Sequence, residues 1–370
     1  MKNILFLHSS SEMYGSDRSL LNIVRNIDKT QYKVFVLLPC PGPLVDAMAA
    51  VPDVTVEIFE VAVLRRKNLS VKGGFSYLRD FIASYRYIKN FIKSHHIDIV
   101  DTNTAVVFPG AIAAKHAKIK SVWHIREIIK SNLENKVISF TMQRYADLII
   151  ANSRATGQAL KVDQKKVRVV YNAVEQKGDT DLMPHARPTV GMAGRINRWK
   201  GQKLFTDVAQ IVKETCPDVC FQIAGEAYAG EEHLRTELEE YIAQKGLTDT
   251  VILLGQVNDM DSFYKGLDIF ALPSTQPEPF GLVVIEAMEY AIPVVATNHG
   301  GPTEIIADGE DGYLVSHESA EEMAQRISML LQDNEKRTQM GKIAQEKKRR
   351  LFSVASMVRQ IEAVFTEVSQ

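Results

Sequence analysis

The strongest constraint on this chain is a recurrence of short, nearly unbroken apolar runs separated by longer stretches of helical periodicity. "NILFLHS", "KVFVLLP", "VTVEIFE", "IDIVDTN", "SVWHIRE", "DLIIANS" and "VRVVYNAV" follow one another through the first half. They are rich in Val and Ile and close on Ser, Asn, Pro or a helix start, which marks them as strands. Strands apolar on both sides, with helices between them, indicate a parallel sheet covered on both faces. The pattern breaks at "EQKGDTDLMPHARP", a polar stretch with Gly178, Pro184 and Pro188, which reads as a linker. It then restarts with "TVGMAGR", "VCFQIAGE", "TVILLGQV", "DIFALPS", "IPVVATN" and "GYLVS". A chain of 370 residues exceeds what one core usually serves. The fold expected is α/β, two tandem Rossmann-like doubly wound domains facing a cleft. The first covers residues 1–172, the linker 173–188, the second domain 189–352, and a final helix 353–370. In such sheets ligands sit at the carboxyl ends of the strands.

Charge adds a second asymmetry. Residues 1–170 hold 25 Lys and Arg against 14 Asp and Glu, whereas residues 171–370 hold 19 against 31. The basic excess peaks between Arg65 and Lys93, where eight cations meet one acid, Asp80. Phe75, Tyr77, Phe81, Tyr85, Tyr87 and Phe91 interleave with them. Two readings stand: a solvated amphipathic helix whose aromatics face the core, or a helix lying near an anionic membrane surface. Nucleic acid is not expected as a partner, since no recognised binding motif accompanies the charge. Cys40, Cys216 and Cys220 form no Cys-x-x-Cys pair and read as reduced core residues of a cytosolic protein. The first apolar run, Ile4 to Leu7, is far too short to span a bilayer. A cytoplasmic location, peripheral on the inner face of the cell membrane, is the expectation.

The chemistry is carried by "PEPFGLVVIEAMEYAIP", with Glu278 and Glu286 eight positions apart. Glu286 sits among Val283, Val284, Ile285, Ala287 and Met288, and a carboxylate rarely stays buried without a partner. Phe280-Gly281-Leu282 opens a helix whose first N–H groups and dipole suit an anion. Earlier, "AGRINRWKGQ" follows a strand and offers Arg195 as a bidentate fork and Lys200 as a point charge for phosphate oxygens. Basic loops are common, so that pair alone identifies nothing. Joined to the helix start, it makes a diphosphate site. Glu286 is then placed for the hydroxyls of a ribose, and Glu278 for a polyol on the other side of the phosphates.

On these residues the chain resembles a family 4 retaining glycosyltransferase of the GT-B fold, of the type that builds bacterial surface polysaccharides and glycolipids. Pro273, Ser274, "PVVATNHGGPTEII" and "DGYLV" belong to the same pattern, and the similarity runs from "NILFLHSSSEMYGSDRSL" to the C-terminal helix. The resemblance implies a nucleotide-diphosphate sugar donor, UDP- or GDP-linked, in the second domain. It implies a glycan or lipid-linked acceptor on the first, no cofactor, and no metal ion. It also implies that the last helix crosses back to the first domain. Arg195 and Lys200 would bind the diphosphate and stabilise the charge on its departure. Glu286 would bind the ribose and Glu278 the transferred sugar, with N–H groups of Phe280, Gly281, Leu282 and Val283 assisting. The base would rest near Gln256 and Val257. Where the family has two glycines after its first strand, this chain has Gly15-Ser16-Asp17-Arg18. There Asp17 and Arg18 would meet the acceptor, or Ser16 or Asp17 would simply cap a helix. In "WHIRE" the family's His corresponds to His124, which would orient sugar or acceptor, with Arg126 beside it. A lone His is otherwise more often structural.

Other readings compete. A nucleotide-sugar 2-epimerase shares the architecture, and a catalytically silent donor-binding subunit would keep the fold without turnover. A dehydrogenase is disfavoured because no Gly-x-Gly-x-x-Gly follows either domain's first strand. Asp179-Thr180-Asp181 and Asp259-Met260-Asp261 read as linker and helix-cap residues rather than metal ligands. Glu304, just after Gly300-Gly301, either meets the donor or sits in a helix's first turn.

Overall fold

The computed structural model describes residues 1–64, 68, 71–183 and 186–370, without the side chains of residues 71 and 72. Arg65, Arg66, Lys67, the Lys72 side chain and Pro184 therefore lie outside the described residues. The chain forms two compact units: Met1–Ala173 together with Val354–Gln370, and Val174–Ser353.

The first unit is built on seven parallel strands: β1 (Lys2–Leu7), β2 (Tyr32–Leu38), β3 (Val54–Ile58), β4 (Ile99–Thr102), β5 (Lys120–Ile125), β6 (Leu148–Ala151) and β7 (Val167–Val169). Between them run α1 (Gly15–Asn26), α2 (Pro43–Ala49), α3 (Val71–Ser94), α4 (Pro109–Ala117), α5 (Asn132–Tyr145) and α6 (Arg154–Ala159). The strand order is β3-β2-β1-β4-β5-β6-β7, so the winding reverses between β1 and β4. Ile4 aligns with Val34 on one side and Ile99 on the other. Because side chains alternate along a strand, Ile4 and Phe6 join a core on one face, and Leu5 and Leu7 a core on the other.

The second unit has six parallel strands: β8 (Thr189–Ala193), β9 (Cys220–Ala224), β10 (Val251–Gly255), β11 (Ile269–Leu272), β12 (Val294–Thr297) and β13 (Gly312–Val315). Its helices are α7 (Gln202–Thr215), α8 (His233–Gln244), α9 (Met260–Lys265), α10 (Leu282–Glu289), α11 (Pro302–Ile305), α12 (Ala320–Gln332) and α13 (Asn334–Leu351). The order β10-β9-β8-β11-β12-β13 repeats the reversal, here between β8 and β11. At α13's last turn the Lys348 ammonium is buried against the Glu289 carboxylate of α10. The other Glu289 oxygen accepts the Lys177 backbone N–H at 2.9 Å.

The last helix, α14 (Val354–Ser369), belongs to the first unit. Its buried apolar residues are Val354, Met357, Val358, Ile361, Val364, Phe365 and Val368, a single helical stripe against α1 and the sheet. The Phe365 ring packs edge-on to both Phe6 and Tyr32, at 6.1 and 6.0 Å between centroids.

The cysteines depart from expectation. All three are free, but Cys40 is exposed and Cys216 half-buried, leaving only Cys220 in the core. Cys40 follows the end of β2 in a loop, beyond the apolar run that suggested burial. Among the described residues no helix is long and apolar enough to cross a membrane.

Candidate active site

Each unit presents its unusual residues at the carboxyl ends of the strands flanking its winding reversal, where open α/β sheets bind ligands.

In the second unit, β8 runs into the loop carrying Arg195 and Lys200. The Asn197 side chain accepts the backbone N–H groups of Trp199 and Lys200 at 3.1 and 2.9 Å, which curls this loop. Gly201 ends it with φ 81° as the N-cap of α7. A Cβ there would come within 1.8 Å of the Pro273 carbonyl oxygen, so only glycine lets the two loops lie against each other. The Thr275 N–H to Trp199 carbonyl bond, 2.8 Å, closes the contact.

This brings Lys200 to Glu278. The ammonium lies 2.8 and 3.0 Å from the two carboxylate oxygens, and the Ser274 hydroxyl donates to one of them at 3.0 Å. Glu278 is 7% exposed. Its backbone bridges to Gly300, and the Gly301 N–H donates to its carbonyl at 2.7 Å. Side chains at Gly300 or Gly301 would strike the Glu278 and Phe280 backbones. The glycine pair thus fixes where the carboxylate stands. Glu304 falls in the first turn of the short α11 and is half-buried.

Gly281 is the N-cap of α10, with Leu282 and Val283 half-buried in its first turn. The Phe280 ring packs inward on Phe352 at 5.9 Å, leaving its backbone and not its side chain as a ligand candidate. Glu286 is half-buried and accepts the Tyr264 hydroxyl at 2.8 Å. That tyrosine is the partner its apolar neighbourhood required. Arg195 stacks on the Tyr228 ring, 4.0 Å from its centroid. Gln256 is exposed and Val257 half-buried just past the end of β10.

In the first unit, His8 directly follows β1. Its ring nitrogens face the Asp17 carboxylate at 2.7 Å and the Asn103 carbonyl at 3.0 Å. Asp17 also accepts the Tyr14 N–H at 2.9 Å, so it is a buried helix cap. Gly15, Ser16 and Arg18 occupy the first turn of α1 rather than a loop before it, with Gly15 and Arg18 exposed. Of the four, Arg18 alone offers an exposed charge.

His124 is buried near the end of β5. Its Nδ1 lies 3.4 Å from an Arg126 guanidinium nitrogen and 3.5 Å from the Asn103 amide nitrogen. Both neighbours are donors, so Nδ1 accepts and the ring proton sits on Nε2. Burial, then the charges of Arg126 and His8, push the ring's pKa well below the usual histidine range. Its Nε2 has no hydrogen-bond partner among the described residues. Arg126 itself is buried, donating to Asn103 at 3.2 Å and to the Asn172 side chain. Its guanidinium is engaged by Asn103, Asn172 and His124, in contrast to a cation reaching out of a loop.

Beneath this network lies Asp101, on β4 between Phe6 and Val122. Neither carboxylate oxygen has a hydrogen-bond partner among the described residues. Burial pushes its pKa up to about 7, partly opposed by Arg126. Sequence reasoning missed Asp101, His8 and Asn103, although all lie at or just past the strand ends where a ligand site was expected. It also missed Tyr264, which no spacing ties to Glu286.

Residues 13–177 match the family described as Glycosyltransferase Family 4, and residues 177–347 that described as Glycosyl transferases group 1. The lipopolysaccharide core biosynthesis mannosyltransferase LpsB of Rhizobium meliloti (strain 1021) is 28% identical over 60% of this chain and 66% of its own length. The D-inositol 3-phosphate glycosyltransferase of Paenarthrobacter aurescens (strain TC1) is 34% identical over 41% of this chain and 37% of its own. The match thus spans less than two-thirds of either relative. Among solved structures, Anabaena Alr3699/HepE in complex with UDP and glucose superposes with a TM-score of 0.83. It is 26% identical, covering 99% of this chain and 100% of that one.

Proposed function

The chain belongs to the family 4 glycosyltransferases of the GT-B fold, and on that premise we propose that it moves a sugar from a nucleotide-diphosphate donor to a glycan or lipid-linked acceptor with retention of configuration. The observation that carries the reading is the Lys200–Glu278 pair beside the N-terminus of α10. A cation, a buried carboxylate and a helix start are what a diphosphate joined to a sugar requires.

In this reading Lys200 and Arg195 bind the diphosphate and stabilise the charge it gains as the glycosidic bond breaks. Glu286, oriented by Tyr264, accepts from the ribose, Gln256 and Val257 border the base, and Glu278 grips the transferred sugar. His124 donates from Nε2 to a sugar or acceptor hydroxyl, and that nitrogen carries its proton and so does not serve as a base. The acceptor proton passes to the leaving phosphate on the same face, which accounts for retention without a dedicated base. No metal takes part. Support for a uridine donor comes from the UDP complexes of the Anabaena relative. The cations on α3 support a peripheral contact with an anionic membrane.

A thermal-shift panel of UDP- and GDP-sugars tests the donor, since the correct one raises the melting temperature by mass action. Release of nucleoside diphosphate only when acceptor is supplied separates transfer from 2-epimerisation. No release with any acceptor, despite a shift, would favour a silent donor-binding subunit.

A further inference from the structure

Arg195 is supported from a neighbouring loop. β8 and β9 run in register, Ala193 opposite Ala224, and their pairing continues past both strand ends. The Gly194 N–H donates to the Ala224 carbonyl at 2.9 Å and the Ile196 N–H to the Glu226 carbonyl at 3.1 Å. Ile196 also bridges to Ala227. The loop that carries Arg195 is thus laid alongside the loop from Gly225 to Glu232, which leads into α8. Gly225 permits the approach. It holds φ 145°, and a Cβ there would come within 2.1 Å of the Gly194 carbonyl oxygen.

The second loop is itself tied down. One Glu226 carboxylate oxygen accepts the Ala227 N–H at 3.1 Å, and the other accepts the Arg235 guanidinium of α8. Arg235 also donates to Glu239 at 2.9 Å. The Glu231 N–H closes a turn onto the Tyr228 carbonyl at 2.8 Å. Gly230, at φ 87°, donates to the Glu232 carboxylate at 2.8 Å. Tyr228 therefore stands on a braced turn, although the residue is 45% exposed. What its ring meets is Arg195, whose guanidinium carbon lies 4.0 Å from the ring centroid.

The chemistry of that contact differs from an ion pair. A guanidinium carries its N–H donors in its own plane, so a ring against its face fixes the group and uses none of them. Those donors stay directed at whatever lies along the guanidinium edge. Lys200 is the other case: it lies over Trp199, 4.6 Å from the centroid, but its ammonium is also held by Glu278. A long cationic side chain loses rotamer freedom when a ligand fixes it. One already stacked has given up part of that freedom beforehand, and the ligand binds more tightly for it.

We propose that Tyr228 is a positioning residue for the donor, its ring presetting the Arg195 guanidinium for the phosphate oxygens. The inference rests on the reading of Arg195 as a diphosphate ligand. It adds the β9–α8 loop to a site otherwise built from the β8–α7 and β11–α10 loops. The face of the ring, not the hydroxyl, meets the cation, so phenylalanine serves in place of tyrosine and an aliphatic side chain does not.

Calorimetry of the full chain with UDP and with GDP tests it through a double-mutant cycle. Arg195→Ala should weaken the nucleotide that the parent binds by about tenfold or more. Tyr228→Leu should weaken it by about fivefold, and Tyr228→Phe by less than about twofold. In the Arg195→Ala background the leucine substitution should cost nothing further. In turnover, Tyr228→Leu should raise KM for the donor by the same factor of about five while kcat stays within about twofold. An equal loss from Tyr228→Leu with and without Arg195 overturns the proposal, as does parental affinity in Tyr228→Leu beside a weakened Arg195→Ala. So does a loss in Tyr228→Phe as large as in Tyr228→Leu, which would assign the effect to the hydroxyl. Parental affinity in Arg195→Ala would instead remove that cation from the diphosphate site. Binding of neither nucleotide by the parent would remove the donor reading, and either result takes the positioning role with it.

Discussion

Lys200 and Glu278 neutralise one another, the ammonium 2.8 and 3.0 Å from the two carboxylate oxygens. A diphosphate bound at Lys200 as proposed would compete with Glu278 for the same cation. Glu278→Gln should remove that competition and tighten UDP binding several-fold, up to about tenfold or 1.4 kcal/mol, while lowering transfer because the sugar loses its acceptor. Calorimetry with UDP alone, beside UDP release in turnover, checks both arms.

Lys200→Ala acts in the opposite direction on binding. It withdraws a charged contact to phosphate, so UDP affinity should fall by roughly ten- to a hundredfold. It also strands a buried carboxylate, which costs about 3 kcal/mol or more, so the apparent melting temperature should drop by roughly 5–10 °C. Unchanged UDP affinity would remove Lys200 from the site.

Tyr264 is expected to matter through Glu286. Tyr264→Phe removes the 2.8 Å hydrogen bond that fixes the carboxylate, so KM for the donor should rise by about three- to tenfold with little change in kcat. Affinity for inorganic pyrophosphate, which has no ribose, should not move.

Asp101 gives the first unit a pH signature. Its carboxyl stays protonated up to about 7 in the folded state but ionises near 3.9 when unfolded. The stability this group contributes is present in full below about pH 4 and is lost as pH rises through 7. His124 runs the other way, since its depressed pKa removes stability as pH falls below about 6.5. Comparing Asp101→Asn with the parent cancels the histidine. The variant should match the parent near pH 4 and exceed it at pH 8, by up to about 4 kcal/mol, in chemical denaturation. A pH-independent difference would contradict this.

The aspartate triplets are engaged within the protein. Asp259 caps α9 through the Ser262 N–H, Asp261 accepts the Tyr290 hydroxyl at 2.6 Å, and Asp179 pairs with Lys265. Transfer is accordingly expected to survive chelator treatment, and loss with rescue by Mg²⁺ would show otherwise.

Much of the fold was legible because parallel strands announce themselves as apolar runs: "DIFALPS" became β11 and "DLIIANS" became β6. The doubly wound order followed from helices lying between them. The candidate site was legible in its parts, since Lys200 and Glu278 each carry a charge out of place for a bare strand end. Their pairing was not, because it depends on Gly201 lying against Pro273, a contact between residues 72 positions apart. Asp17 carried two readings in the sequence, acceptor contact or helix cap, and the bonds to His8 and the Tyr14 N–H that separate them in favour of the cap depend on the folded chain. Cys40 shows an outright error, where an apolar approach suggested burial and the chain had already left the sheet.

The first sheet is closed by a helix encoded some 180 residues after its last strand. As the chain leaves the ribosome, Phe6, Tyr32 and the face of α1 must wait, uncovered, while the whole intervening unit is made. Of the two units, the one begun earlier is completed later. A nascent chain halted before Val354 would carry one completed unit and one open greasy sheet, a substrate for chaperones.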